Sequence, residues 1–97
     1  MRNGAVEFMD LVKSATAGTM ESSDAYVEIE PCQNGVQIQL ESVVLNQFGD
    51  AIYATVSEVL KDLCVKNANV RVVDKGALEC VIRARVETAV LRGRGDI

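Results

Sequence analysis

The chain predicts an α+β fold: a small, mostly antiparallel sheet containing a β-hairpin, with two helices packed on one of its faces. Three observations carry this. Residues 25–30 and 36–41 alternate apolar and polar at the period of a strand. From Val44 to Leu63 the apolar residues recur at helical spacing. The 97 residues, 48% hydrophobic and 25% charged, suit one domain with a modest core and not a disordered segment.

The elements follow in order. Residues 1–14 read as a leader, either a frayed segment or a short helical turn built on Val6, Phe8, Met9, Leu11 and Val12. Thr16 to Met20 offers a first strand, and Ser22-Ser23-Asp24 an exposed corner. Ala25, Val27 and Ile29 then alternate with Tyr26, Glu28 and Glu30 until Pro31 ends the run. Asn34-Gly35 tolerates positive φ and suits a tight turn. Val36, Ile38 and Leu40 alternate with Gln37, Gln39 and Glu41 beyond it, so these two strands are the expected hairpin.

The period next lengthens. Val44, Phe48, Ile52, Val56, Leu60 and Leu63, with Thr55 and Val59, make one apolar face of a helix over residues 46–64. Ser42 or Asn46 is placed to cap its start, and Lys61 lies at the end that favours a cation. Val70 to Val73 is a short β-branched strand, and Asp74-Lys75-Gly76 a turn or helix start. Leu78, Val81, Ile82, Arg85, Val86, Ala89 and Val90 fit a second helix, although residues 77–86 also alternate as a strand would. The folded unit is therefore expected to span 15–92, with 93–97 as a flexible tail.

Composition excludes several functions. Ten Lys and Arg against 14 Asp and Glu give a net charge of −4, which argues against electrostatic binding to nucleic acid or to an anionic membrane. Three cysteines, Cys32, Cys64 and Cys80, form no CxxC pair and would leave one thiol over in an oxidised domain, so a reduced cytoplasmic setting is more natural. They provide too few ligands for zinc in a chain without histidine. No segment has the length or apolarity of a membrane span, and Glu7 and Asp10 interrupt any signal-peptide core.

Autonomous catalysis lacks its parts. There is no histidine base, and most carboxylates fall on exposed faces of the expected elements. Asp74 and Lys75 read as a turn ion pair. Gly93-Arg94-Gly95 has no helix after it to cradle a phosphate. Arg83, Arg85, Arg92 and Arg94 form a basic cluster on an acidic chain, either a solvated helix face or a docking face for an acidic partner. Ser22 and Ser23, taken alone, are turn residues bonding to nearby backbone.

Three separated blocks change that reading. Ala17-Gly18-Thr19-Met20-Glu21-Ser22-Ser23-Asp24, then Gln47-Phe48-Gly49-Asp50-Ala51-Ile52, then Asp74-Lys75-Gly76-Ala77-Leu78-Glu79-Cys80 with Arg83-Ala84-Arg85 resemble, in order and spacing, the acyl carrier (gamma) subunit of citrate lyase. The resemblance spans about residues 15–92. It implies a covalent carrier and not a catalyst: Ser22 would bear 2'-(5''-phosphoribosyl)-3'-dephospho-coenzyme A through a phosphodiester, with Ser23 the weaker alternative at a position where the family accepts glycine or serine. It also implies the partners. These are a transferase that attaches the group, an alpha subunit that exchanges acetyl for citryl on its thiol, and a beta subunit that cleaves citryl to oxaloacetate. Related carriers of citramalate lyase or malonate decarboxylase fit the same blocks, and an unmodified α+β interaction module is the alternative from another class. Glu21 and Asp24 flank Ser22 and would repel an anionic donor, so attachment would fall to the transferase. The Phe48 block and residues 75–80 read as packing and helix-start signals.

Overall fold

A computed structural model of the chain describes residues 10–97; the apolar residues Val6, Phe8 and Met9 of the expected leader lie outside them. The element order is β1 (Ala15–Gly18), β2 (Ala25–Glu30), β3 (Val36–Ser42), α1 (Leu45–Asp62), β4 (Ala68–Asp74) and α2 (Glu79–Arg94). One four-stranded sheet runs in the order β1-β2-β4-β3. The β1–β2 and β2–β4 pairs are antiparallel, and β3 is parallel to β4. The α+β class, the small sheet and the two helices are as the sequence predicts.

The hairpin is not where the alternation placed it. β4 lies between β2 and β3, so those two strands never pair. The sheet's hairpin is β1–β2, closed around residues 19–24. The physical reason is the connection after β3. A helix long enough to cross the sheet returns the chain parallel to the strand it left, and residues 43–67 supply that crossover through α1. The Asn34-Gly35 turn does reverse the chain, with Gly35 at φ 86°. Its polar groups go to the start of β4, however: the Gly35 amide donates to Asn67 Oδ1 (3.0 Å) and its carbonyl accepts from Ala68 N–H (3.1 Å).

Register explains the core. Ala15, Ile29, Val70 and Ile38 form one cross-sheet row, and Ala17, Val27, Val72 and Leu40 the next. These rows face the helices, where Val27, Ile29, Val70 and Val72 are fully or almost fully buried. Each such side chain contributes roughly 1.5–3 kcal/mol, so the two rows anchor the sheet. From α1 they meet Ile52, Val56, Val59 and Leu60, and from α2 Ile82, Val86, Ala89 and Val90. Residues 77–86 thus belong to a helix and its lead-in, and the spacing of 82, 86, 89 and 90 is the helical stripe. The opposite face of the sheet carries Glu28, Arg71, Gln37 and Gln39 toward solvent.

Four local expectations are corrected. α1 starts at Leu45 behind Val44, with no side-chain cap; the Ser42 hydroxyl, two residues before the N-cap position, instead accepts from Val44 N–H (3.0 Å). Phe48 leaves the apolar stripe and is 53% exposed. α2 continues through Gly93 and Arg94, beyond the expected boundary at residue 92, because Gly93 is buried against the segment before β1. A Cβ there would lie 2.8 Å from Leu11 Cδ2. Finally, residues 10–14 are not separate from the fold: Leu11 is buried in the core, and the Val12 and Lys13 amides both donate to the Gly93 carbonyl (2.9 and 3.1 Å).

Candidate functional site

Ser22 sits on the 19–24 connection of the β1–β2 hairpin, exposed together with Glu21 and Ser23. The Asp24 amide donates to the Glu21 carbonyl (3.1 Å), closing a four-residue turn with Ser22 and Ser23 at its centre. Ser23 takes φ 67°, a left-handed conformation that turns usually assign to Gly or Asn. Glycine would take that conformation with less strain than serine. Ser23 is held by its backbone, because its amide donates to the Lys75 carbonyl (2.8 Å) while the Lys75 amide donates back to the Asp24 carbonyl (2.9 Å). The turn after β4 is thus clasped to the Ser22 loop.

Beneath the tip the loop is fixed by a charged network centred on Asp24. Its carboxylate accepts from Arg85 Nε and Nη2 (2.9 and 3.0 Å), from the Thr19 hydroxyl (2.7 Å) and from the Ala25 amide (2.7 Å). The Thr19 hydroxyl also accepts from Glu21 N–H (3.1 Å). The Arg85 bonds first, then those from Thr19 and Ala25, hold the Asp24 carboxyl well below the usual carboxylate range. Gly18 makes the base of the loop: at φ 88°, a Cβ would fall 1.8 Å from the Ala25 carbonyl oxygen. The 17–24 block is therefore a structural sentence with one unused word. No hydrogen bond engages the Ser22 hydroxyl among the described residues.

This network revises the charge argument made from sequence. Asp24 does not repel a donor as a free anion would, since the Arg85 guanidinium neutralises it. Neither can it act as a base, with its oxygens occupied and its proton affinity depressed. Glu21, next to the serine in sequence and exposed, is the acid left without such a partner among the described residues.

The other expected features fall into place around this loop. Asp74 does not pair with Lys75. It is 1% exposed, accepts from the Ser42 hydroxyl (2.7 Å) and the Ala77 amide (2.8 Å), and lies opposite Ala25 in the sheet. It locks the end of β3 and the approach to α2 to the strand that clasps Ser23. Sequence reasoning missed this role, although an Asp three residues before an amide-rich turn is a signal for it. The arginine cluster is spent inside the fold. Arg85 holds Asp24, Arg83 pairs with Glu58 and Glu79, Arg92 donates to the Thr16 carbonyl (2.8 Å), and Arg94 reaches the Leu63 carbonyl. A basic docking face is correspondingly weakened. Among the described residues Cys32, Cys64 and Cys80 are free thiols, no cluster of metal-ligating side chains forms, and no helix is long and apolar enough to cross a membrane.

Comparison with known proteins now bears on the site. The citrate lyase acyl carrier protein of Escherichia fergusonii is 53% identical over 85 residues, 87% of this chain and 88% of that one. That of Klebsiella pneumoniae is 55% identical over the same coverage. The chain belongs to the citrate lyase acyl carrier protein family. A broader family of acyl carriers, described as malonate decarboxylase delta subunit, matches residues 12–93. A chain of a Pseudomonas malonate decarboxylase hetero-tetramer crystallised with malonate superposes with a TM-score of 0.73 at 25% identity, covering 82% of each chain. The match extends to Gly93, as the buried end of α2 does. As a member of this acyl carrier protein family, the chain is a carrier subunit.

Proposed function

We propose that Ser22 Oγ carries 2'-(5''-phosphoribosyl)-3'-dephospho-coenzyme A through a phosphodiester, and that the chain is the non-catalytic carrier of a cytoplasmic citrate lyase. The observation that supports this is the pairing of a free, exposed hydroxyl with a loop fixed on every other side. A carrier needs an attachment point reachable by several enzymes and a base that does not move with each transfer. Gly18, Thr19, Asp24 and Arg85 provide the base, and Ser22 the point.

When attached, the group supplies a terminal thiol able to hold acetyl or citryl as a thioester. The protein's contribution is position. Tethering keeps that thiol at high effective concentration near alpha and beta subunits bound to the same carrier. Among the described residues no base is poised on Ser22, so the attaching transferase must bring its own. The likeness to a malonate decarboxylase chain favours a second reading, in which the same site serves a related complex; partner subunits would then select the acyl group.

The test is the intact mass of the chain from its native host, with fragmentation to locate any adduct. The expected result is the group on Ser22, absent from Ser22→Ala and retained by Ser23→Ala. A bare Ser22 in cells degrading citrate would overturn the proposal. Acyl exchange and cleavage with citrate lyase alpha and beta subunits distinguish this complex from its relatives.

A further inference from the structure

Beside the Ser22 loop lies a groove of about 360 Å³ between the first half of α1 and the 76–78 turn. Its walls include Phe48, Ala51, Ile52, Leu78 and Ile82. Phe48 is half-exposed and Leu78 is 71% exposed, so both large side chains border the opening without filling it. Thr55 also lines it. This residue is 8% exposed, and no protein group engages its hydroxyl among the described residues. The oxygen is not sealed in the core, since among the described residues no fully buried side-chain polar atom lacks a partner. The groove therefore holds an orphaned hydroxyl in a mostly apolar lining with a few polar groups, Asp74 and Glu79 among them, the usual composition of a small-molecule site.

We infer that this groove receives the pantetheine portion of the arm on Ser22 between transfers. The inference rests on the carrier reading above. Two features of the molecule favour this occupant. One is continuity: Ser23 is hydrogen-bonded to Lys75, and Lys75 lies at most about 7 Å from Ala77 at the groove's edge, within the span of an arm whose phosphoribosyl and nucleotide portion leads back to the pantetheine. The other is chemistry. Pantetheine alternates alkyl segments with two amides, which suits a mostly apolar groove whose lining also includes the Thr55 hydroxyl, able to donate or accept, and the acceptors Asp74 and Glu79. Docking there would shield the thioester end from water while leaving it free to be drawn out by a partner.

The test uses the loaded chain, its adduct first verified by mass on Ser22. The alkylation rate of the arm thiol, read by fragmentation separately from Cys32, Cys64 and Cys80, is compared with that of free dephospho-coenzyme A. An arm docked about 80% of the time reacts about fivefold more slowly. Phe48→Asp and Thr55→Val each restore most of the free rate, and the backbone amides of Phe48, Ala51, Thr55 and Leu78 shift between bare and loaded chains. Alkylation at the free rate with shifts confined to residues 19–25 overturns the inference and leaves the carrier reading standing. So does slow alkylation indifferent to both variants, or groove shifts that appear only when an alpha or beta subunit is added. Absence of any adduct removes both readings together.

Discussion

Two turns meet at one end of this sheet, and they are held by opposite means. The 19–24 loop is fixed by charge: Asp24, partly exposed, is gripped by Arg85 and two further donors. The turn after β4 is fixed by burial: Asp74, almost wholly enclosed, accepts from a neutral hydroxyl and a backbone amide. The first presents a polar tip, Ser22, and the second an apolar one, Leu78. A charged anchor near solvent tolerates strain at the tip but responds to pH and salt. A buried anchor is insensitive to salt, and losing it strands donors where water cannot replace it.

The sharpest way to break the comparison is at the base of the first loop. Gly18→Ala combines a forbidden φ with a backbone clash, and should destabilise the fold by about 4 kcal/mol or more in denaturant unfolding. Asp74→Ala comes next. It leaves the Ser42 hydroxyl and the Ala77 amide unmet, costing about 3 kcal/mol, with an effect unchanged by added salt. Arg85→Ala should cost less, about 1–2 kcal/mol, and its cost should fade with acid. The sign follows from the depressed Asp24 carboxyl. The stabilisation it brings is full above the unfolded value of about 4 and is lost as pH falls below that. Wild type and Arg85→Ala should therefore converge in stability in strong acid.

Smaller effects sharpen the picture. Ser23→Gly relieves a left-handed serine and should stabilise by about 0.5–1 kcal/mol. Ser22→Ala should change stability by less than about 0.5 kcal/mol while abolishing the adduct. A large stability loss from Ser22→Ala would show that its hydroxyl is structural, and would count against its role as an attachment point.

The sequence made individual elements legible where one physical signal dominated. Alternation marks β2 and β3 because each has one covered face, and the stripe of Ile82, Val86, Ala89 and Val90 marks α2. Pairing was not legible from alternation, which says which face of a strand is buried but not which strand lies beside it. The helix between β3 and β4 carried that information as a parallel crossover, against the local pull of Asn34-Gly35. At the site, Ser22 and its block stood out by resemblance, while its support did not. Arg85 lies 61 positions from Asp24, a separation at which no local pattern operates. Gly93 and Phe48 were misplaced for a related reason: glycine near a terminus resembles a tail, and an apolar residue at helical spacing resembles core.

Strand direction settles where an anchor can be placed. β1 and α2 both run between the Ser22 end of the sheet and the end where Gly93 meets Val12 and Lys13. Asp10, bonded to Asn67 ahead of β4, and the C-terminal end of α2 therefore lie at the pole opposite the serine. A surface or a fused protein coupled to side chains at that pole would leave Ser22 facing outward and uncovered.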